Sequence, residues 1–249
     1  MHASHIPPDE HKENKLCVQS SKSLKYVSMT NFNVKEDSQR DFIIQEAKKY
    51  FKDAKPTHDW NHVLRVHNLC MHIGRIEGAD LEVLSYAAYL HDVGRCFEEK
   101  DINICHAQKG AEISMGILNR TSVEQTSNDA IIHCIRTHRF RDENVPSSLE
   151  AKVLYDSDKL DAIGAIGVAR AYCYAGEHNQ ALISDFDSDY GSELSVDHSN
   201  HSPIKEYKVK LSKIKDRMLT CEGKRLAEER DIFMRKYFSR LQQECDGEL

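Results

Sequence analysis

The chain has 249 residues, enough for one hydrophobic core or for one domain with tails. Apolar residues make up 40% and charged residues 30%, so part of the chain is expected to stay unpacked while the rest folds. The net charge of −6 excludes broad attraction to nucleic acid or anionic lipid, and no apolar run approaches the roughly 20 residues of a membrane span.

Residues 1–36 are polar with no sustained apolar period, and read as a disordered extension. Met1 to Lys15 holds prolines and acids rather than an apolar export signal, so the expected setting is cytoplasmic and reducing. The eight cysteines are scattered without a CxxC pair and are expected to be free thiols, mostly buried. Residues 37–245 read as a single all-α domain, with nothing of the alternating period of a sheet. Phe42, Ile43, Ala47, Tyr50 and Phe51 line one face of a helix ending near Lys55 and Pro56. His58 or Asp59 starts a second helix with Val63, Val66, Leu69, Cys70 and Ile73 inward. Leu81 to Leu90 forms a third, stopped by Gly94, and His106 to Leu118 a fourth with Ala111, Met115 and Leu118 inward. Asp129 caps a fifth, through Ile131, Ile132 and Ile135 to His138. Glu150 to Ala175 reads as one long helix carrying Val153, Leu154, Leu160, Ile163, Ile166 and Val168. The acidic, serine-rich stretch 184–203 reads as a mobile loop, and one or two helices cover Lys205 to Glu244.

Fourteen histidines are many for this length, and eight lie between 58 and 138. In HDWNHVLRVHNL, His62 and Arg65 are three apart and share a helical face. In YLHDVGR, His91 and Asp92 end an apolar helix, where their desolvation is costly without a compensating cation. CHAQKGAE adds His106 and Lys109, and VLYDSDKLDAIGAIG adds Asp156, Asp158 and Asp161 inside an apolar helix. Taken singly each is ordinary: an HD dipeptide arises by chance and acidic clusters are usually solvated. Taken in order they supply two imidazoles and two carboxylates, a mixed set suited to Mn, Fe, Zn or, less well, Mg.

This order resembles the HD-domain metal-dependent phosphohydrolases, closest to their small bacterial-type branch. The matching stretches are HDWNHVLRV, AAYLHDVGR, HAQKGAEIS, IIHCIRTHRF, LEAKVLYDSDKLDAIGAIGVARAY and CEGKRLAEERDIFM. The resemblance implies a single helical bundle and a divalent ion, with Mn or Fe favoured, held by His62, His91, Asp92 and Asp158. It also implies hydrolysis of a nucleotide or small phosphate ester, with nucleoside triphosphate pyrophosphohydrolysis one form of it. CFEEKDINIC and the acidic loop match no motif of the family, and both are expected to bear on substrate choice.

Around this ion, Arg65, His106, His138 and Asp161 are candidate catalytic helpers, and Lys109, Arg139 and Lys159 candidate phosphate contacts. His133 and His138 are five apart, about 140° round a helix, so only one is expected at the site, and His138 beside Arg139 is favoured. His133 is expected near the core, His67 and His72 are structural, and Asp156, off the face of Asp158, is expected to be exposed or paired with a base. Two other readings stay open: a binuclear iron oxygenase completed by His106 and His138, and a metal-stabilised nucleotide-binding module without turnover.

Overall fold

The computed structural model describes residues 34–139, 144–184 and 201–249. Among these residues every regular element is helical: α1 (Val34–Lys48), α2 (Trp60–Glu77), α3 (Leu81–Leu90), the short α4 (Arg95–Glu98), α5 (His106–Leu118), α6 (Gln125–Thr137), α7 (Leu149–Leu160), α8 (Gly164–Glu177), α9 (Pro203–Val209) and α10 (Cys221–Cys245). None is long and apolar enough to cross a membrane.

The starts are set by side-chain caps. Asp59 accepts from the His62 amide, Asp80 from Glu82 and Val83, Ser148 from Ala151 and Thr220 from Gly223. Each bond satisfies an orphan N–H of a first turn and stabilises its helix by about 1 kcal/mol. The core is the inward face of α2 (Val63, Val66, Cys70, Ile73), nearly all of α3, and the inner faces of α6 (Ile131, Ile135) and α7 (Val153, Leu154, Leu160). α2 packs on α3 and α7, α3 on α6, and α10 closes over α7 and α8.

Several sequence expectations need correction. The long helix from Glu150 to Ala175 is two helices. Residues 161–163 break it, and Gly164 takes φ +76°, a conformation open to glycine at little cost. The break resets the helical phase, which leaves Ile166 38% exposed rather than inward. On α5 the buried positions run Ala107, Gly110, Ala111, Ser114, Ile117 and Leu118, so Met115 lies outside that face. α6 starts at Gln125, and Asp129 sits within it, accepting from the Gln125 side-chain Nε2 at 2.9 Å, rather than capping it. α1 begins at Val34, inside the stretch read as an extension; residues 1–33 lie outside the described residues. So do residues 185–200 of the acidic stretch, whose end is packed: Ser202 is buried and caps α9. Of the seven described cysteines, all free, only Cys70 and Cys134 are buried.

Asp156 is neither exposed nor paired with a base. It is fully buried and accepts from the amides of Leu219 (2.9 Å) and Thr220 (2.8 Å) and from the Thr220 hydroxyl (2.6 Å). It fixes the start of α10 against α7.

Candidate metal centre

α2, α3, α5, α6 and α7 each direct one or two polar side chains to a single buried point. His62 comes from the first turn of α2, and His91 and Asp92 from the turn that ends α3. His106 opens α5, His138 ends α6, and Asp158 lies in the last turn of α7. All but Asp158 are buried almost completely; its side chain is 14% exposed and gives the cluster its opening to solvent.

The atoms fall into two groups that share Asp92. In the first, His62 Nε2 lies 3.3 Å from His91 Nε2, 3.6 Å from Asp92 Oδ2 and 3.5 Å from Asp158 Oδ1. In the second, Asp92 Oδ1 lies 3.5 Å from His106 Nε2 and 3.7 Å from His138 Nε2, and these two nitrogens are 3.1 Å apart.

The far sides of the rings fix their orientation. His62 Nδ1 bonds Asp161 Oδ2 (2.8 Å), His91 Nδ1 the Ala88 carbonyl (2.8 Å), His106 Nδ1 Glu98 Oε2 (2.5 Å) and His138 Nδ1 the Ile135 carbonyl (2.6 Å). Each acceptor takes an Nδ1–H, so four Nε2 atoms face inward, the arrangement that outer partners impose on metal-ligating histidines. Imidazole nitrogens turned toward one another beside carboxylate oxygens require positive charge between them. The donor set fits a divalent ion, and His62, His91 and Asp92, or Asp92, His106 and His138, could each hold one.

The electrostatics agree. Burial drives the His91 pKa down to about 4, so the ring is neutral and its Nε2 can donate a lone pair. Burial opposes ionisation of Asp92 and Asp158, yet Arg95 at the first and Lys159 at the second, with the surrounding imidazoles, hold both well below the usual carboxylate range. Burial also opposes charging His62, but Asp158 and Asp161 outweigh it and raise its pKa. A divalent ion would satisfy the same demand and release that proton.

The remaining predicted residues have other partners. Arg65 makes two bonds to Asp161, 2.7 and 2.9 Å, and so steadies Asp161 rather than facing the cluster. Arg139 is paired with Glu98, and Lys159 with Asp158 at 2.8 Å, both at the rim. Lys109 points away, to Glu112 at 2.9 Å and over the Phe97 ring. His133 bonds Ser147, 3.0 Å away, and takes no part; His67 stacks on Tyr89, and His72 pairs with Glu222.

Sequence reading missed three residues. Arg95 Nε donates to Asp92 Oδ2 (2.8 Å), and its Nη2 lies 3.1 Å from Asp92 Oδ1 and 3.3 Å from His106 Nε2. Its signal was a base three positions after an acid. Glu98 anchors both His106 and Arg139. Arg170 of α8 donates to Asp161 Oδ2 (2.9 Å) and to His58 Nε2 (3.1 Å), a contact hidden by the unforeseen break before α8. Burial, with Arg95 and Arg170 nearby, pushes the His58 pKa down to about 2, so that ring is neutral.

Comparison with known proteins matches this arrangement to one family. The HD domain family matches residues 59–163. The chain is 32% identical over 218 residues to the uncharacterised protein YpgQ of Bacillus subtilis, covering 86% of this chain and 97% of YpgQ. The crystal structure of Bacillus subtilis YpgQ in complex with ADP is similar at a TM-score of 0.64 and 30% identity, over 84% of this chain and 96% of that one. An HD-superfamily hydrolase from Bacillus thuringiensis is similar at a TM-score of 0.66 and 26% identity, over 85% of this chain and 98% of that one. With identity at this level spanning nearly the whole of the relative, the chain belongs to the HD-domain family, that of the HD-superfamily hydrolases.

Proposed function

We propose that the protein is a metal-dependent phosphohydrolase acting on a nucleotide or a related small phosphate ester, with the ion held by His62, His91, Asp92 and Asp158. The observation that carries this reading is the convergence of His62 Nε2, His91 Nε2, Asp92 Oδ2 and Asp158 Oδ1 within 3.3–3.7 Å of their neighbours, with both imidazoles fixed from behind. A divalent ion there supplies Lewis-acid charge and brings a water's pKa toward neutrality.

The chain's own groups support the remaining steps. Asp161 keeps His62 in one tautomer. His138, whose Nε2 lies 3.7 Å from Asp92 Oδ1, exchanges a proton with an attacking water or a leaving oxygen in this reading. Arg139 and Lys159 at the rim supply charge for phosphoryl oxygens. The nucleotide preference draws support from the ADP in the YpgQ crystal structure.

The second reading, a binuclear iron oxygenase, draws on the Asp92, His106 and His138 group. One experiment separates these: metal-stripped protein is resupplied with Mn, Fe, Co, Zn or Mg and assayed against nucleoside mono-, di- and triphosphates and simple phosphate esters. Metal-dependent release of phosphate or pyrophosphate is expected. Oxygen consumption with two irons per chain would favour the oxygenase, and nucleotide binding without product under every metal would leave a binding module.

A further inference from the structure

We infer that Arg95 is the resident cation of the second half of this site, so that the chain takes one divalent ion where its histidines and carboxylates are numerous enough for two. The inference rests on the metal-dependent reading above and adds to it the stoichiometry and the residue that sets it.

The second group consists of Asp92 Oδ1, His106 Nε2 and His138 Nε2. With Nδ1 of each ring tied to Glu98 or to the Ile135 carbonyl, two imidazole acceptors 3.1 Å apart face a carboxylate oxygen in a buried space. Such a cluster is costly without positive charge. The Arg95 guanidinium supplies it. Nη2 carries two hydrogens, and two acceptors lie in reach, Asp92 Oδ1 at 3.1 Å and His106 Nε2 at 3.3 Å. Nε donates to Asp92 Oδ2 at 2.8 Å, which makes the pairing bidentate. An ion in this group would need the single Nε2 lone pair of His106 at about 2.0–2.1 Å, the one that Nη2 takes, so ion and guanidinium exclude one another there.

The backbone holds Arg95 in this position. Its amide donates to the Asp92 carbonyl at 3.0 Å, and the preceding Gly94 is pressed against the His106 carbonyl and the Gly110 amide. Arginine keeps its charge at any working pH. Arg95 reaches the first group through Asp92 Oδ2, an oxygen that keeps a second lone pair for an ion, while His62 and His91 bond Asp161, the Ala88 carbonyl and each other.

The test is equilibrium dialysis of the metal-stripped full chain against Mn2+, counting ions per chain. The wild type is expected to bind one, Arg95→Ala two, and Arg95→Lys, which restores the charge, one. Adding His106→Gln to Arg95→Ala should return the count to one. If Arg95→Ala does not fold, Arg95→Met keeps the stem without the charge. His106→Gln in the wild-type background gives an independent reading, since the single ion should persist. Two ions in the wild type, one in both neutral Arg95 variants, or loss of the ion in His106→Gln would overturn the inference while leaving the metal-dependent reading standing. A wild type that binds no ion would overturn both.

Discussion

Asp161 at the end of α7 accepts the Nδ1 proton of His62 at 2.8 Å, across 99 positions of sequence. The same carboxylate takes two bonds from Arg65 and one from Arg170. Burial opposes its charge, but His62 and Arg65 outweigh burial and bring its pKa down to about 2. A carboxylate so held is ionised throughout the working range and keeps His62 Nε2 turned to the cluster. Asp161→Asn keeps the shape and removes the charge. Its Mn2+ affinity should fall about 10–100-fold, the usual cost of losing a ligand's outer partner, with helical content unchanged. Titration of both proteins with Mn2+ checks this, and equal affinities would remove the positioning role.

Residues with a strong local pattern were readable in advance, and residues defined by their partners were not. The limits of α3 were read from the apolar run Leu81 to Leu90 before Gly94 and those of α5 from His106 to Leu118, and the structure reproduces them. The HD pair and the D of SDKL stood out because carboxylates inside apolar helices need a reason. Asp156 lies in that same helix, yet its reason is the start of α10 more than sixty positions on, which no local pattern encodes. Arg95 and Glu98 lie on a four-residue helix too short to show a period. Arg170 was missed because the break at 161–163 contains no proline, and its glycine comes only after the turn.

His138 ends α6 with Nε2 3.1 Å from His106 and 3.7 Å from Asp92 Oδ1. It lies outside the group that contains Asp158, so His138→Ala should keep one ion per chain. Turnover should fall about 10²–10⁴-fold, the scale of lost acid–base help. Rate and metal content measured on one preparation decide this. A change of only a few fold would take His138 out of the chemistry, and a fall from two ions to one would make it a ligand.

His91 makes acid stability a test of the buried site. Burial lowers its pKa from the ordinary 6.5 to about 4. As pH falls below 6.5 the unfolded chain takes up a proton there that the folded protein refuses. Stability is therefore full above pH 6.5, falls between 6.5 and 4, and levels below that. For this one group the loss is roughly 3 kcal/mol across the window, at about 1.4 kcal/mol per pH unit. His62 has the opposite sign, because Asp158 and Asp161 outweigh burial and raise its pKa, so it offsets part of the wild-type slope. Comparison with His91→Gln isolates the term. In urea unfolding of metal-stripped protein, the stability lost between pH 6.5 and 4.5 should be smaller in the variant by about 2–3 kcal/mol. The same loss in both proteins would show that His91 titrates normally.

Gly94 is where α3 and its HD turn meet α5. A Cβ there would lie 2.2 Å from the His106 carbonyl oxygen and 2.5 Å from the Gly110 amide nitrogen. Both are backbone atoms, so no side chain can swing aside and the two elements must separate. Gly94→Ala should cost about 1–3 kcal/mol or more, the usual penalty of overpacking, and lower Tm by several degrees. Separation would also draw His91 and Asp92 away from His106 and disturb the Arg95 contacts, so Mn2+ binding should weaken in the same variant. Gly116 is the control: it lies on the same α5, exposed, with nothing within 4 Å of a Cβ. Gly116→Ala should leave metal binding unchanged and gain up to about 1 kcal/mol from helix propensity. Thermal melts and Mn2+ titrations of the two variants give the comparison. Equal behaviour would mean that the HD turn and α5 are not packed this closely, and the geometry that joins the two halves of the site would fall with it.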